Sequence, residues 1–576
     1  MKLLLAAGLL CLSSALCQAR DVEIKVLQTS DIHGNLFPEN FITLSPTNGG
    51  MARISQMLRS YRDKHGDNLI LLDNGDILQG QPSVFYYNYI DTVSPHIAAE
   101  VMNYMGYDAG NVGNHDVETG RKTLDRWVKD CKMPILGANI LDKATGEPHF
   151  TPYATFNKDG VKIAVLGMIT PAIPAWLSED VWRGLTFADM EETARKWMPI
   201  IKEKENPDVI IGLFHAGKSG SVLSGFKENP SLDIACNVPG FDIIMFGHDH
   251  LRANKKVTNI NGDTVQIINP ANTGQVISEV TIKATVDDNG KVTSKTIDGT
   301  LTDVNAYIPD TDFMATFKPQ MHAVFDYVIQ PIGFISEPMT SENAYFGPSK
   351  LIDFIHEIQL EYTGADVSFA APISSSTSIK AGPIHMKDLF SLYKYENSLY
   401  TIELTGKEIK DYLDFSYSLW TDQMKDSTDH LMLFKKQFDN GESMRASLVN
   451  PPYNFDSAAG IKYQVDVTKP AGEKVTIISM ADGTPFDFDK VYKVAVTSYR
   501  GNGGGAHLTK GAGIKESELA ERIIAKSDMD LRSIIAEMIK RKQRITPHTL
   551  DSWKFVPEDL ARHAAEQDAL LLLKKH

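Results

Sequence analysis

The stretch DIIMFGHDH, from Asp242 to His250, decides the fold because it joins the pattern of a buried strand to side chains that bind metals. Its apolar run, Ile243–Phe246, is typical of a parallel strand covered by helices on both faces. Two imidazoles, those of His248 and His250, follow the run directly. Because burying such polar groups costs free energy unless they have partners, the end of this strand predicts a binding site.

Three other apolar runs and the segment Asp108–Val112 end in side chains of the same kind. Ile24–Leu27 precedes Asp31 and His33, Leu69–Leu72 precedes Asp76, Asp108–Val112 precedes Asn114 and His115, and Val209–Phe214 precedes His215. In open α/β sheets, ligands bind beyond the carboxyl ends of the strands, so these side chains can converge. A lone histidine there is more often structural and a lone aspartate more often a helix N-cap, but the shared pattern favours a site. Imidazoles with carboxylates suit zinc, manganese, iron or cobalt.

The pattern along the 576 residues predicts two domains. Residues 20–308 alternate apolar runs with helical stretches and predict an α/β domain. Residues 309–338 predict a linker helix, over Asp310–Val328, and residues 339–556 predict an α+β domain. Residues 557–576 predict a charged helical tail without an obvious core.

Residues 1–19 predict a cleaved signal peptide, with Lys2 before an apolar core and small residues ending at Ala19. No later run of about 18 apolar residues follows, so we expect an exported protein, periplasmic or extracellular, without stable membrane insertion. Only Cys131 and Cys236 remain after cleavage, and we favour two buried thiols over a bridge. The formal charge of −15 argues against a nucleic-acid polymer as partner. The oligomeric state is not determined by the sequence.

The motifs SDIHG, NGD, GNHD, LFHAG and FGHDH, in this order, resemble those of the calcineurin-like metallophosphoesterases. Nearly the whole mature chain resembles the exported two-domain 5′-nucleotidase family. The resemblance implies a four-layer αββα metallophosphoesterase domain, a smaller α+β nucleotide-binding domain, a nucleotide substrate and two divalent metal ions. It implies one metal held by Asp31, His33, Asp76 and His250, and a second held by Asp76, Asn114, His215 and His248.

His115 is not among the implied ligands, and the resemblance implies that it acts on the leaving group. The family usually pairs this histidine with an aspartate a few residues on, whereas Glu118 occupies that position here. Either Glu118 or Asp116 could orient His115. Helical spacing favours Glu118, because a residue three positions on lies on the same face of a helix.

Two aromatic-bearing loops mark the second half, LYKYENSLY around Tyr395 and TSYRGNGGGAH around Tyr499. Composition alone favours a strand-edge aromatic and a flexible glycine loop. The alternative is a pair of rings that stack on a base, as the resemblance implies. The substrate contacts that we expect are Tyr395, Asn397, Tyr499, Arg500 and Gly503, with Ser374 to Ser378 and His507 as further candidates.

The motifs YENS and YRGNGGG resemble the 2′,3′-cyclic-nucleotide 2′-phosphodiesterase/3′-nucleotidase branch more than the 5′-nucleotidase branch. The latter typically has a phenylalanine at the position of Tyr499 and a ribose-binding aspartate after the glycines, where this chain has Gly505 and Ala506. The alternative functions are a 5′-nucleotidase or a nucleotide-sugar hydrolase. A more remote alternative is a non-catalytic nucleotide-binding surface protein.

Overall fold

A computed structural model describes residues 19–573, apart from 221, 224, 375–376, 394 and 436–446. The expected signal peptide, except its last residue, therefore lies outside the described residues. Within the described ranges, the helices are all too short or too polar to cross a bilayer. Cys131 and Cys236 are free, so the expectation of two thiols rather than a bridge is confirmed, but both are half-buried rather than buried.

The first half is built on two six-stranded sheets. One contains, in spatial order, Val292–Asp303, Val276–Val286, Arg20–Thr29, Leu69–Asp73, Ala109–Asn111 and Ile135–Leu136. The other contains Arg252–Thr258, Thr264–Pro270, Ile243–Phe246, Val209–His215, Val161–Ile169 and Tyr153–Lys158. The central strands of both sheets are parallel. Antiparallel pairs form both edges of the second sheet and one edge of the first, whose other edge pair, Ala109–Asn111 with Ile135–Leu136, is parallel. Each predicted strand of this half is present.

The two sheets face each other across an apolar core that includes Val26 and Ile70 from one sheet and Val165 and Ile211 from the other. A second core packs the outer face of the first sheet on the helices Met51–His65, Ile97–Met105 and Arg121–Asp130. A third core packs the other outer face on Met190–Glu205 and Ser231–Asn237. The order helix, sheet, sheet, helix confirms the four-layer prediction. This half also contains three short helices, Pro82–Phe85, Asn114–Glu118 and Ile173–Trp176.

The linker differs from the single helix that the sequence predicts. Thr311–Thr316 and Lys318–Val328 are two helices that meet at Phe317, which has non-helical backbone angles. Pro319 explains the break, because it has no N–H to donate to the preceding turn. Phe313 and Phe317 are buried in the core of the first half, so the linker packs on that domain.

The second half is an α+β domain around a five-stranded sheet of mixed direction. Its strands, in spatial order, are Ser457–Ala459, Val367–Ala370, Val491–Thr497, Ser398–Thr405 and Ile523–Asp530. Two three-stranded sheets flank it, Gly382–His385 with Pro331–Ile335 and Arg544–Ile545, and Val475–Met480 with Ile461–Asp466 and Trp553–Val556. The main helices are Lys350–Thr363, Met386–Leu392, Gly406–Trp420 and Leu531–Lys542.

The tail is helical, as expected, but the prediction that it has no core is wrong. Glu558–Leu572 is a helix whose Ala561 and Ala564 are buried in the core of the second domain. The buried Asp568 carboxylate accepts a hydrogen bond from the backbone N–H of Met432 at 2.9 Å. Small alanines give a weak apolar signal, which is why the sequence pattern did not show this face.

Candidate active site

The strand ends of the first domain bring two clusters of potential metal ligands together. Asp31, His33 and His250 form one cluster, and Asp76, His215 and His248 form the other, with ligand atoms in each within 4.8 Å of one another. All six were predicted from the strand-end pattern. The carboxyl edges of both sheets contribute to this crevice, because Asp31, His33 and Asp76 follow strands of one sheet and the other three follow strands of the second.

Asp76 lies between the clusters. Its Oδ2 atom is 3.2 Å from Nε2 of His215 and 4.0 Å from Nε2 of His33. Asn114 extends the second cluster, with its Oδ1 atom 3.1 Å from Nε2 of His215. In the first cluster, Nε2 of His250 lies 3.4 Å from Oδ1 of Asp31 and 3.1 Å from Nε2 of His33.

These atoms are arranged as ligands. Nδ1 of His33 donates to the carbonyl of Gln79 at 3.1 Å, and Nδ1 of His215 donates to the carbonyl of Asn74 at 2.8 Å. Each ring in its neutral form directs the lone pair of Nε2 toward Asp76. That lone pair faces a carboxylate oxygen and repels it unless a metal ion, or at His215 a proton, lies between them. The residues present therefore fit a pair of divalent metal ions.

The backbone at these positions is strained. Asp31, His33, Asp76, His248 and His250 all have positive φ angles, between 49° and 72°. Non-glycine residues adopt this left-handed conformation rarely, and strain of this kind collects at functional sites. Five of the seven predicted ligands have this conformation, which indicates that the fold orients these side chains toward the site at a cost in local stability.

Burial and charge set the protonation of the cluster. Burial raises the pKa of the Asp76 carboxyl, but the charges of His215 and His115 outweigh it and hold that pKa well below its usual range. Burial lowers the pKa of His33 to about 4, so this imidazole is neutral, which is the form that binds metals. Asp76 raises the pKa of His215 to about 9, against the effect of burial.

His115 is oriented by Glu118. Nδ1 of His115 lies 2.5 Å from Oε2 of Glu118 within the helix Asn114–Glu118. The Asp116 carboxylate instead accepts backbone N–H groups from Asp76, Ile77, Leu78 and Gly113, at 2.8–3.0 Å. Burial lowers the pKa of His115, but the carboxylates of Asp76 and Glu118 outweigh it and raise that pKa to about 10.

A cavity of about 320 Å³ connects this crevice to the second domain. Asn114, His115 and His248 line one end, and Tyr395, Asn397 and Tyr499 line the other. Tyr453 is a third aromatic wall, with its ring 6.3 Å from that of Tyr499 at 89°. Tyr453 has no motif around it in the sequence, because it lies in the short 3₁₀ turn Pro452–Asn454.

Arg500 lines the same cavity, but its guanidinium group is engaged by the protein. Its five N–H donors are matched by five hydrogen bonds, to Asp456 (two), Asn454, Gly504 and the carbonyl of Tyr453. These bonds tie the Tyr453 and Tyr499 segments together, and a direct contact of Arg500 with the substrate stays a prediction.

Of the remaining expected contacts, some line the cavity and others have a structural role. Asn397 lines the cavity and donates to the hydroxyl of Tyr393 at 3.1 Å. Gly503 is not a lining residue; its φ of 97° shapes the turn instead. His507 is fully buried between the carbonyls of Gly505 and Asn454, which removes it as a contact. Of the Ser374 to Ser378 stretch, residues 375–376 lie outside the described residues.

Two family models match the chain. Calcineurin-like phosphoesterase matches residues 24–252, and the 5′-nucleotidase C-terminal domain matches residues 331–510. The chain is a metallophosphoesterase with a 5′-nucleotidase C-terminal domain. This metallophosphoesterase is thus a phosphoester hydrolase that acts on nucleotides.

Relatives of the metallophosphoesterase extend over almost its whole length. It is 26% identical to the 2′,3′-cyclic-nucleotide 2′-phosphodiesterase/3′-nucleotidase of Yersinia enterocolitica, over 96% of this chain and 90% of that protein. It is 27% identical to the trifunctional nucleotide phosphoesterase protein YfkN of Bacillus subtilis, over 94% of this chain but only 39% of that longer protein. Its fold matches the crystal structure of a 5′-nucleotidase precursor from Thermus thermophilus, with a TM-score of 0.62, 21% identity and coverage of 93% and 100% of the two chains.

Proposed function

We propose that the metallophosphoesterase opens 2′,3′-cyclic nucleotides at the 2′ bond and then removes the 3′-phosphate. The observation that carries this proposal is the single cavity that both domains line, with His115 and His248 at one end and Tyr395, Tyr453 and Tyr499 at the other. A nucleotide fits this division, with its phosphate at the polar end and its base among the rings. Stacking contributes about 1–3 kcal/mol per base without selecting one base strongly.

The phosphate end would hold two divalent metal ions. Asp31, His33, Asp76 and His250 would hold one, and Asp76, Asn114, His215 and His248 the other. When bound, such a pair lowers the pKa of a water nucleophile and neutralises charge on the phosphoryl group. The ligand types suit zinc, manganese, iron or cobalt.

His115 has the position of a general acid. Its ring lines the cavity beside Asn114, and Glu118 holds its orientation. A proton transferred from His115 to the departing ribose oxygen would stabilise the alkoxide, an effect that contributes about 10²–10⁴-fold to such reactions.

Two features of the nucleoside end favour the cyclic and 3′ substrates over 5′-nucleotides. The ring at position 499 is a tyrosine, and Gly505 and Ala506 stand where the 5′-nucleotidase branch typically has a ribose-binding aspartate. A ribose whose 2′ and 3′ oxygens carry the phosphate cannot use such a clamp. The name of the Yersinia relative supports the same preference.

We also propose that the protein is exported. Residues 1–19 have the charge, apolar core and small-residue end of a secretory signal. Export to the periplasm or the medium fits an enzyme that recovers phosphate or nucleosides. The mass of the N-terminus of the protein recovered outside the cytoplasm tests this point, and an intact Met1 there would contradict it.

The activity test compares phosphate release from 2′,3′-cyclic AMP, 3′-AMP and 5′-AMP after chelation and re-addition of each metal. Phosphate from the cyclic ester is detected only after the second step, so chromatography follows the 3′-AMP intermediate. We expect cyclic and 3′ substrates to give the higher kcat/KM. Faster hydrolysis of 5′-AMP would replace this proposal with a 5′-nucleotidase.

A further inference from the structure

Glu228 is a carboxylate in the substrate cavity that the sequence analysis did not single out. Its Oε1 atom accepts a hydrogen bond from Nε2 of His248 at 3.0 Å, and its side chain is about one-quarter exposed, at 26%. The cavity lining includes Glu228 together with His115 at the metal end and Tyr453 at the aromatic end. Glu228 therefore faces the space that a substrate must fill.

The residues on either side of Glu228 are anchored to the first domain. Lys227 forms an ion pair with Asp233 at 2.7 Å, and Asn229 accepts a hydrogen bond from the backbone of Gly217 at 2.7 Å. A side chain at Gly217 would collide with Asn229, since its Cβ would lie 2.5 Å from Oδ1. These contacts fix the backbone on both sides of Glu228, so the position of its carboxylate in the cavity is fixed as well.

Only one oxygen of this carboxylate is engaged within the part of the chain that the structure describes. Oε1 faces His248, whereas Oε2 accepts no hydrogen bond from the described residues. The charge of Glu228 also reaches the aromatic end. Burial raises the pKa of Tyr453, and the neighbouring Tyr395 adds to the rise while Arg500 opposes it. The charge of Glu228 raises this pKa further.

The position and the chemistry together define what this oxygen can bind. A carboxylate accepts hydrogen bonds and repels anions, so it would disfavour a phosphate and attract a hydroxyl group. Between the phosphate and the base of a nucleotide lies the ribose, whose free hydroxyls are neutral donors. Resting on the proposed function, we propose that Glu228 is a specificity residue that accepts a hydrogen bond from a ribose hydroxyl outside the reacting ester.

The test measures kcat/KM for wild type and Glu228→Gln on three kinds of substrate. These are the mononucleotide that the wild type hydrolyses fastest, its deoxy analogues lacking each free hydroxyl in turn, and p-nitrophenyl phosphate, which has no ribose. Glutamine keeps an oxygen for His248 and replaces the free carboxylate oxygen with an amide. Glu191→Gln is the matched control, because it removes a nearby negative charge that the cavity does not include.

We expect Glu228→Gln to lower kcat/KM for the ribonucleotide roughly tenfold or more, as for a lost hydrogen bond to a charged group. For one deoxy analogue, wild type and variant should have the same low kcat/KM, because the hydroxyl that Glu228 binds is missing. For p-nitrophenyl phosphate the two proteins should also have equal kcat/KM. Their metal contents should be equal. A parallel loss on p-nitrophenyl phosphate would overturn the proposal, since Glu228 would then act only through His248. The proposal would also be overturned if Glu228→Gln lowered kcat/KM by the same factor on every deoxy analogue as on the ribonucleotide. A wild type active on p-nitrophenyl phosphate but on no nucleotide would instead remove the proposed function, and this inference with it.

Discussion

Nδ1 of His115 lies 2.5 Å from Oε2 of Glu118, one turn further along the same short helix. This contact answers the question that the sequence left open, because the neighbouring Asp116 is occupied by backbone N–H groups. Glu118 fixes the orientation of the ring and stabilises its charged form. The longer arm of glutamate takes the place of the aspartate that is usual in the family.

Substitution at Glu118 should impair turnover without emptying the metal site. We expect Glu118→Ala to lower kcat about 10–100-fold, because His115 loses both its orientation and part of its charge stabilisation. Glu118→Asp keeps the negative charge on a shorter side chain and should recover part of the lost turnover. Steady-state kinetics with elemental analysis of the same samples checks this, and a loss of bound metal would contradict the assigned role.

The effect of His115→Ala should depend on the leaving group. For a nucleotide we expect kcat to fall about 10²–10⁴-fold, because the ribose alkoxide is a poor leaving group that needs a proton. For p-nitrophenyl phosphate the loss should be much smaller, since nitrophenolate leaves without protonation. Comparing the two substrates on one preparation tests the general-acid role. Equal losses on both would assign His115 to binding the phosphate.

Asp76 should control both metals at once. Its Oδ2 atom lies near ligands of both clusters, so Asp76→Asn removes a charge shared by two sites. We expect elemental analysis to find fewer than two metal ions per chain and activity to fall below detection. His250→Ala, which touches only the first cluster, is the control and should retain more metal than Asp76→Asn. Full metal content in Asp76→Asn would exclude a bridging role.

The proposed metal ligands could be predicted because their signal is local. An apolar run that ends in Asp, His or Asn marks both the strand and the edge of the sheet, as at Val209–His215. The positive φ angles at Asp31 and His248 have no such local signal, because L-residues disfavour this conformation and only the surrounding fold imposes it.

The residues that the sequence did not reveal lie in irregular segments. Tyr453 and Glu228 reach the cavity through turns whose placement depends on tertiary contacts with Arg500 and Asn229. Arg500 was among the expected substrate contacts because it lies in the same loop as Tyr499. Its actual partner, Asp456, is 44 residues away along the chain, and no local pattern connects the two.

Arg500 should matter mainly for the shape of the nucleoside end. Arg500→Met leaves the buried Asp456 carboxylate without its cation, which costs about 3–5 kcal/mol when one partner of a buried pair is removed. We expect a lower Tm and a raised KM for nucleotides, with kcat/KM for p-nitrophenyl phosphate nearly unchanged. Adding Asp456→Asn to Arg500→Met should recover part of the Tm. A variant with a normal Tm and a weakened nucleotide KM would restore the direct-contact interpretation.

Glu396 gives the domain contact a pH dependence. Burial raises the pKa of Glu396 to about 7; the charges of Glu118 and Asp530 add to the rise and Arg532 opposes it. Oε2 of Glu396 accepts a hydrogen bond from the hydroxyl of Tyr89, in the first domain, at 3.1 Å.

Between the ordinary glutamate pKa and about 7, the folded protein binds a proton that the unfolded chain has lost, so the contribution of Glu396 to stability falls as the pH rises through this window. Glu396→Gln mimics the protonated form and should match the wild-type Tm at about pH 4, below the ordinary glutamate pKa. Above pH 7.5 the variant should be the more stable, because it avoids placing a charge in this buried contact. Thermal unfolding of both proteins across about pH 4–8 measures the difference. A difference in Tm that stays constant over this range would mean that Glu396 does not titrate there.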